Sequence, residues 1–150
     1  MTPQDIPDPI EKRDRIYGDD TSPDELEELG NQFLKHEYFS DALDAYIEGD
    51  IEEGGRKVLE KATELGNYFL INRIHQQWPD LVDQDSWQDA GQTAEEQGRL
   101  TDAVKLYYAG DFTDDLQRAE EQLENELGHA VPAVVKSDTA DAKEKDQLDE

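Results

Sequence analysis

The sequence predicts an all-α fold built as an antiparallel helix-turn-helix array of about three helix pairs, the middle one irregular. Three observations lead there. Residues 29–50 and 90–111 align without a gap and share Gly30/Gly91, Asp41/Asp102, Ala42/Ala103, Tyr46/Tyr107, Gly49/Gly110 and Asp50/Asp111. Such an internal repeat marks stacked supersecondary units. Apolar residues recur at helical spacing, as in Leu26, Leu29, Phe33 and Leu34. Cap and stop residues bracket these stripes.

Residues 1–21 hold Pro3, Pro7 and Pro9 among charges, and 130–150 are rich in Ala, Asp and Lys. Neither stretch offers enough apolar surface to offset its ordering entropy, so both are expected as flexible tails flanking a helical domain at 22–129. Ile6, Ile10, Ile16 and Tyr17, or Val131, Val134 and Val135, are the residues through which a tail would dock.

Ser22-Pro23-Asp24-Glu25 is a capping box with proline at the first helical position. Ser40 and Thr101 are expected to cap the second helix of each regular pair, which presents Leu43, Tyr46 and Ile47, or Val104, Tyr107 and Tyr108. Gly49-Asp50 and Gly110-Asp111 read as hinges in which glycine takes the left-handed conformation and aspartate caps the next helix. Val58, Ala62, Leu65 and Phe69 form one further stripe. Phe112, Leu116, Ala119, Leu123 and Leu127 form another that stops at Gly128.

Charge limits function. The formal net charge of −25, from 39 acids against 14 bases, argues against nucleic acid and anionic membranes as partners. Residues 1–22 and 129–150 hold six acids and three bases each, so the acidity belongs to the segment between them. The chain has no cysteine, hence no disulfide, thiolate metal site or cysteine nucleophile. No signal-like start and no apolar run of membrane-spanning length occur, which leads to a cytoplasmic expectation.

The spacing Leu26-x2-Leu29-Gly30-x2-Phe33, then Ala42-x3-Tyr46, resembles the tetratricopeptide repeat. Trp87-x2-Ala90-Gly91-x2-Ala94, then Ala103-x3-Tyr107, resembles it again, with Gly98 at the inter-helix turn. Ala62-x2-Leu65-Gly66-x2-Phe69 resembles a third first helix, after which Trp78-Pro79 interrupts the expected second one. The resemblance covers about residues 23–128. It implies a short α-solenoid whose concave side, lined by first helices, holds a segment of a protein partner. The groove-facing positions it implies are Glu27, Asn31, Leu34 and Lys35, then Thr63, Asn67, Leu70 and Ile71, then Gln88, Gln92, Glu95 and Glu96. Asn31 and Asn67 match the asparagine with which some members hold a terminal carboxylate, but Glu27 stands where a base is needed, so carboxylate binding is rejected.

Other chemistry is weakly signalled. Asp80, Asp83, Asp85 and Asp89 lack the glycine and terminal glutamate of a calcium loop, and Asp85 with Gln88 reads as a capping box. His36, His75 and His129 are isolated, and paired carboxylates such as Glu52-Glu53 and Glu120-Glu121 fall on polar helix faces. No metal, cofactor or catalytic residue is expected. The leading expectation is a non-catalytic adaptor or scaffold that binds a partner segment with apolar anchors and basic flanks. The alternatives are an acidic decoy or chaperone masking the basic surface of a nucleic-acid-binding protein, acidity serving only solvation at high salt, and a piece of a larger, self-associating solenoid.

Overall fold

A computed structural model describes residues 9–18 and 21–128, and all regular structure among them is helical. The helices are α1 (Pro9–Tyr17), α2 (Pro23–Lys35), α3 (Phe39–Glu48), α4 (Glu52–Leu65), α5 (Tyr68–Gln77), α6 (Gln84–Glu96), α7 (Leu100–Gly110) and α8 (Thr113–Leu127), with a 3-10 turn at Pro79–Leu81. The described residues fall into two compact units, one of residues up to 61 with 70–81, the other of 62–69 with residues from 82 onward. The expected C-terminal tail and His129 lie outside the described residues.

In the first unit α2 packs on α3, and α1 lies against α3. Ser22 caps α2 as expected, its hydroxyl accepting from the Glu25 N–H at 3.2 Å. Leu26, Leu29 and Phe33 are buried against Ala42, Leu43 and Tyr46, while Leu34 is half-buried. The expectation of a flexible tail over 1–21 is corrected in part, because α1 occupies residues 9–17; residues 1–8, with Ile6, lie outside the described residues. Ile16 is only 1% exposed, and the Lys12 ammonium donates to Asp41 at 2.5 Å and Asp44 at 2.8 Å. One buried isoleucine and a cation shared by two carboxylates hold a helix too short to persist alone.

In the second unit α6 packs on α7 and α7 on α8. Trp87, Ala90, Ala94, Ala103, Val104 and Tyr107 are buried as the repeat requires. The cap of α6 is Asp83 rather than Asp85: its carboxylate accepts from the Ser86 N–H at 2.8 Å and hydroxyl at 3.0 Å. Ser40 and Thr101 are not caps either, since α3 and α7 begin one residue earlier, at Phe39 and Leu100. Along α8, Ala119 and Leu123 are buried, Phe112 and Leu116 are half-buried, and Leu127 is 45% exposed just before the left-handed Gly128 ends the helix.

The turns repeat. Tyr38, Asn67 and Arg99 each donate their N–H to the carbonyl five residues back, at 3.0, 2.9 and 2.8 Å. The residue before each, Glu37, Gly66 or Gly98, is left-handed, with φ of 63, 63 and 76°. This is the bond pattern that satisfies the orphan carbonyls of a helix end. The hinges at 49–51 and 110–112 use the same bonds, but the expected roles are exchanged. Asp50 and Asp111 carry the positive φ, 52 and 63°, whereas Gly49 stays right-handed at −86°. Glycine is required at 49 and 110 for space: a Cβ on Gly49 would lie 2.8 Å from the Ile51 side chain and 3.2 Å from Leu26 Cβ. One on Gly110 would lie 2.7 Å from the Phe112 ring and 2.8 Å from Trp87 Cβ.

These turns place the middle pair in a register different from the one expected. Gly66 ends α4, so Ala62-x2-Leu65-Gly66-x2-Phe69 straddles a turn and is not a first helix. With Glu37, Gly66 and Gly98 equivalent, Leu26, Gly55 and Trp87 correspond, as do Gly49, Trp78 and Gly110. In the outer pairs a large first-helix residue sits over a glycine. In the middle one the Trp78 ring lies over Gly55, and its Nε1 donates to Asp50 at 2.9 Å. Trp78-Pro79 does end α5, as expected.

Candidate functional site

The corrected register changes which residues line the first-helix faces. On α2, Glu27, Asn31 and Lys35 are exposed. On α6, Gln92 and Glu96 are exposed while Gln88 and Glu95 are half-buried. The equivalent α4 positions are Arg56, Glu60, Thr63 and Glu64, of which only Thr63 was expected, and Asn67 lies in the turn after α4. Leu70 and Ile71 are not groove anchors. They are 4% and 0% exposed, because α5 is a second helix whose buried stripe is Leu70, Ile71 and Ile74. Conversely Leu65 and Phe69, expected in the core, are 44% and 64% exposed on either side of Gly66. The offset from the expected register is seven residues, nearly two full turns, so the helical phase is kept and the element changes: positions 67–71 run past the Gly66 turn onto α5.

Two of the expected face residues serve the core. The Tyr46 hydroxyl donates to Asn31 Oδ1 at 2.6 Å, and Tyr46 itself is fully buried. Burial, and then the Glu27 charge, push its phenol up to about 12. In the second unit the Tyr107 hydroxyl donates to Glu95 Oε1 at 2.8 Å, and Arg118 grips the same carboxylate with two N–H groups at 2.8 and 2.9 Å. Arg118 also pairs with Asp115 at 2.9 Å and lies 6.0 Å from the Tyr107 ring centre. The guanidinium hydrogen bonds, helped by the tyrosine, hold Glu95 below the usual carboxylate range, and burial with Glu95 raises Tyr107. Asn31 and Glu95 thus orient buried tyrosines, and what they offer a partner is limited to the edges of those bonds.

The second unit consumes its cations. Among its described residues are 14 acids and three bases. Arg118 is held as above, and the Lys105 ammonium lies 5.5 Å from the Tyr68 ring centre. Arg99 donates to the carbonyls of Leu65 and, at 3.1 Å, Gly66, and pairs with Asp102 at 3.1 Å. The outward field is therefore negative with little internal relief.

Among the described residues no group of histidine and carboxylate side chains is arranged to hold a metal ion, and no helix is long and apolar enough to cross a membrane. The depression lined by Gln88, Asp111, Phe112 and Asp115 is open to solvent. No family model, no curated protein and no solved structure matches this chain.

Proposed function

We propose that the chain is a non-catalytic, tetratricopeptide-like interaction module acting in the cytoplasm as an adaptor or scaffold for another protein. The observation that carries the reading is the threefold turn pattern, with the same bonds, the same left-handed position and the same large-over-small contact in each helix pair. Helix pairs so repeated stack into solenoids, whose first helices present a continuous surface. With Leu70 and Ile71 buried, the first-helix face is polar in each unit taken by itself: Glu27, Asn31, Lys35, Arg56 and Glu60 in the first, with Leu34 half-buried, and Glu64, Gln92 and Glu96 in the second. It suits a partner segment with basic groups more than one with large apolar anchors.

Affinity capture from native cells at moderate salt tests this. The wild-type chain is expected to retain a stoichiometric protein that a Glu27→Lys, Glu60→Lys, Glu96→Lys variant loses, with helical content unchanged. Recovery of the same protein by both overturns the groove reading. An acidic decoy is the second reading, favoured by the second unit's 14 acids with every base engaged. It requires neutralising α8 carboxylates such as Glu121 and Glu124 to weaken capture as much as the face reversals do.

A further inference from the structure

α1 is seated on α3 by few groups. Among its described side chains Ile16 alone is buried, whereas α2 and α3 bury four residues each. Lys12, one helical turn before Ile16, reaches Asp41 and Asp44 of α3, so the two share the face turned to that helix. Glu11, Arg13, Asp14 and Tyr17 are exposed. A nine-residue helix does not persist without its seat, and elements so lightly held open before the rest of a fold does.

The seat is built for a cation. α3 carries Asp41, Asp44 and Glu48 and no base. At the positions aligned with Asp41 and Asp44, α5 has Leu70 and Arg73 and α7 has Asp102 and Lys105, so the paired carboxylates are particular to the helix on which α1 lies. Arg73 takes Oδ1 of Asp44 at 2.6 Å. Oδ2 of Asp44 and the carboxylate of Asp41 are left to Lys12, at 2.8 and 2.5 Å. With α1 lifted away, Asp44 keeps Arg73, and Asp41 has no cation among the described residues.

We propose that this seat is a docking site for a helix of another protein that bears lysine or arginine and, four residues later, isoleucine or leucine, and that α1 fills it as a displaceable stand-in. The occupant's chemistry is read from α1 itself: the seat takes a cation between two carboxylates and one aliphatic side chain a turn further on. A second copy of the chain, with the same formal charge of −25, is repelled where a basic helix is drawn in. The site lies on a second helix and does not depend on the first-helix faces proposed above.

The probe is a labelled, end-capped peptide of residues 9–18, titrated into the full chain at about 0.15 M salt. In wild type the tethered α1 competes at an effective concentration of order mM. The peptide is therefore expected to bind a Lys12→Glu, Ile16→Asp chain, whose own α1 cannot seat, about tenfold or more tighter than wild type. Adding Asp41→Asn to that released chain is expected to cost about threefold or more. An alanine-based peptide keeping only the lysine and the isoleucine is expected to bind within about threefold of the first, and one with glutamate for the lysine not to bind. Circular dichroism melts check that each variant folds. Hydrogen exchange on wild type needs no variant: amides of residues 11–17 are expected to exchange while those of α3 stay protected. Absence of binding to the released chain, equal affinity for it and for wild type, or failure of the alanine-based peptide overturns the proposal, as does exchange of α1 only together with α3. A wild-type dimer in sedimentation that the released chain loses also overturns it, in favour of α1 exchanged between copies.

Discussion

Gly91 lies on α6 against the ring of Tyr107, and replacing it with alanine sets two effects in opposition. An alanine inside a helix gains about 1 kcal/mol over glycine through backbone entropy. Here the new Cβ would lie 2.5 Å from Tyr107 Cε1, 2.7 Å from Cδ1 and 3.0 Å from Cζ. The ring has no room to yield: it is fully buried, and its hydroxyl is tied to Glu95, which Arg118 holds in turn. Overpacking of this kind costs roughly 1–3 kcal/mol, and the upper end applies where three atoms overlap. Swinging the ring aside forfeits about 1 kcal/mol of hydrogen bond. The expected net effect of Gly91→Ala is a loss of about 2 kcal/mol, seen as a lower urea midpoint at unchanged slope. With Tyr107→Ala already in place the overlap is gone, and the same substitution is expected to stabilise by up to about 1 kcal/mol. That reversal of sign is the diagnostic. Stabilisation by Gly91→Ala in the wild-type background would refute the ring-on-glycine account.

Glu37 holds a left-handed position that its sister turns give to Gly66 and Gly98. Glu37→Gly is accordingly expected to raise stability by about 0.5–1 kcal/mol in denaturant melts, the strain relieved exceeding the added chain entropy. Asp50→Gly, although also at positive φ, is expected to lower it by about 1 kcal/mol, because the Trp78 N–H loses its acceptor in a part-buried setting. Ile16→Ala is expected to cost about 2 kcal/mol or more and to speed amide hydrogen exchange across residues 11–17; unchanged exchange would show that α1 does not depend on that contact. Tyr46 is raised in the folded state, so its contribution is complete below pH 10 and is lost as pH rises through about 12, measurable as late tyrosinate absorbance coinciding with a falling melting temperature.

Much of the helical layout was legible in the sequence. Ser22 and Gly128 bounded helices as their chemistry requires, and the ungapped match of 29–50 with 90–111 marked two helix pairs whose buried residues are those aligned. The middle pair was not legible, because its spacing to the outer pairs is unequal, and Ala62, Leu65, Gly66 and Phe69 imitate a first-helix motif across a helix end. The signal that locates it is Gly66-Asn67, placed like Gly98-Arg99 after a buried alanine, Ala62 or Ala94, four residues before the glycine. The candidate face failed there for the same reason: Leu70 and Ile71 were read one element too early. Lys12 was hidden because its partners, Asp41 and Asp44, are 29 and 32 residues away and nothing local announces them.

The contact between Leu26 and Gly49, Gly55 and Trp78, and Trp87 and Gly110 has a consequence for how such chains diverge. Its volume is shared between two helices, and either helix can supply it. A column comparison of the three pairs finds leucine, glycine and tryptophan at one position and glycine, tryptophan and glycine at the other, which resembles random drift. Taken two positions at a time, the variation is a single rule: one bulky side chain and one bare backbone. A substitution at either site is therefore tolerated only in the company of its counterpart, and sequences can drift beyond pairwise resemblance while the spacing between the helices stays the same. In such a lineage, covariation between position 55 and position 78 would outlast similarity at either one.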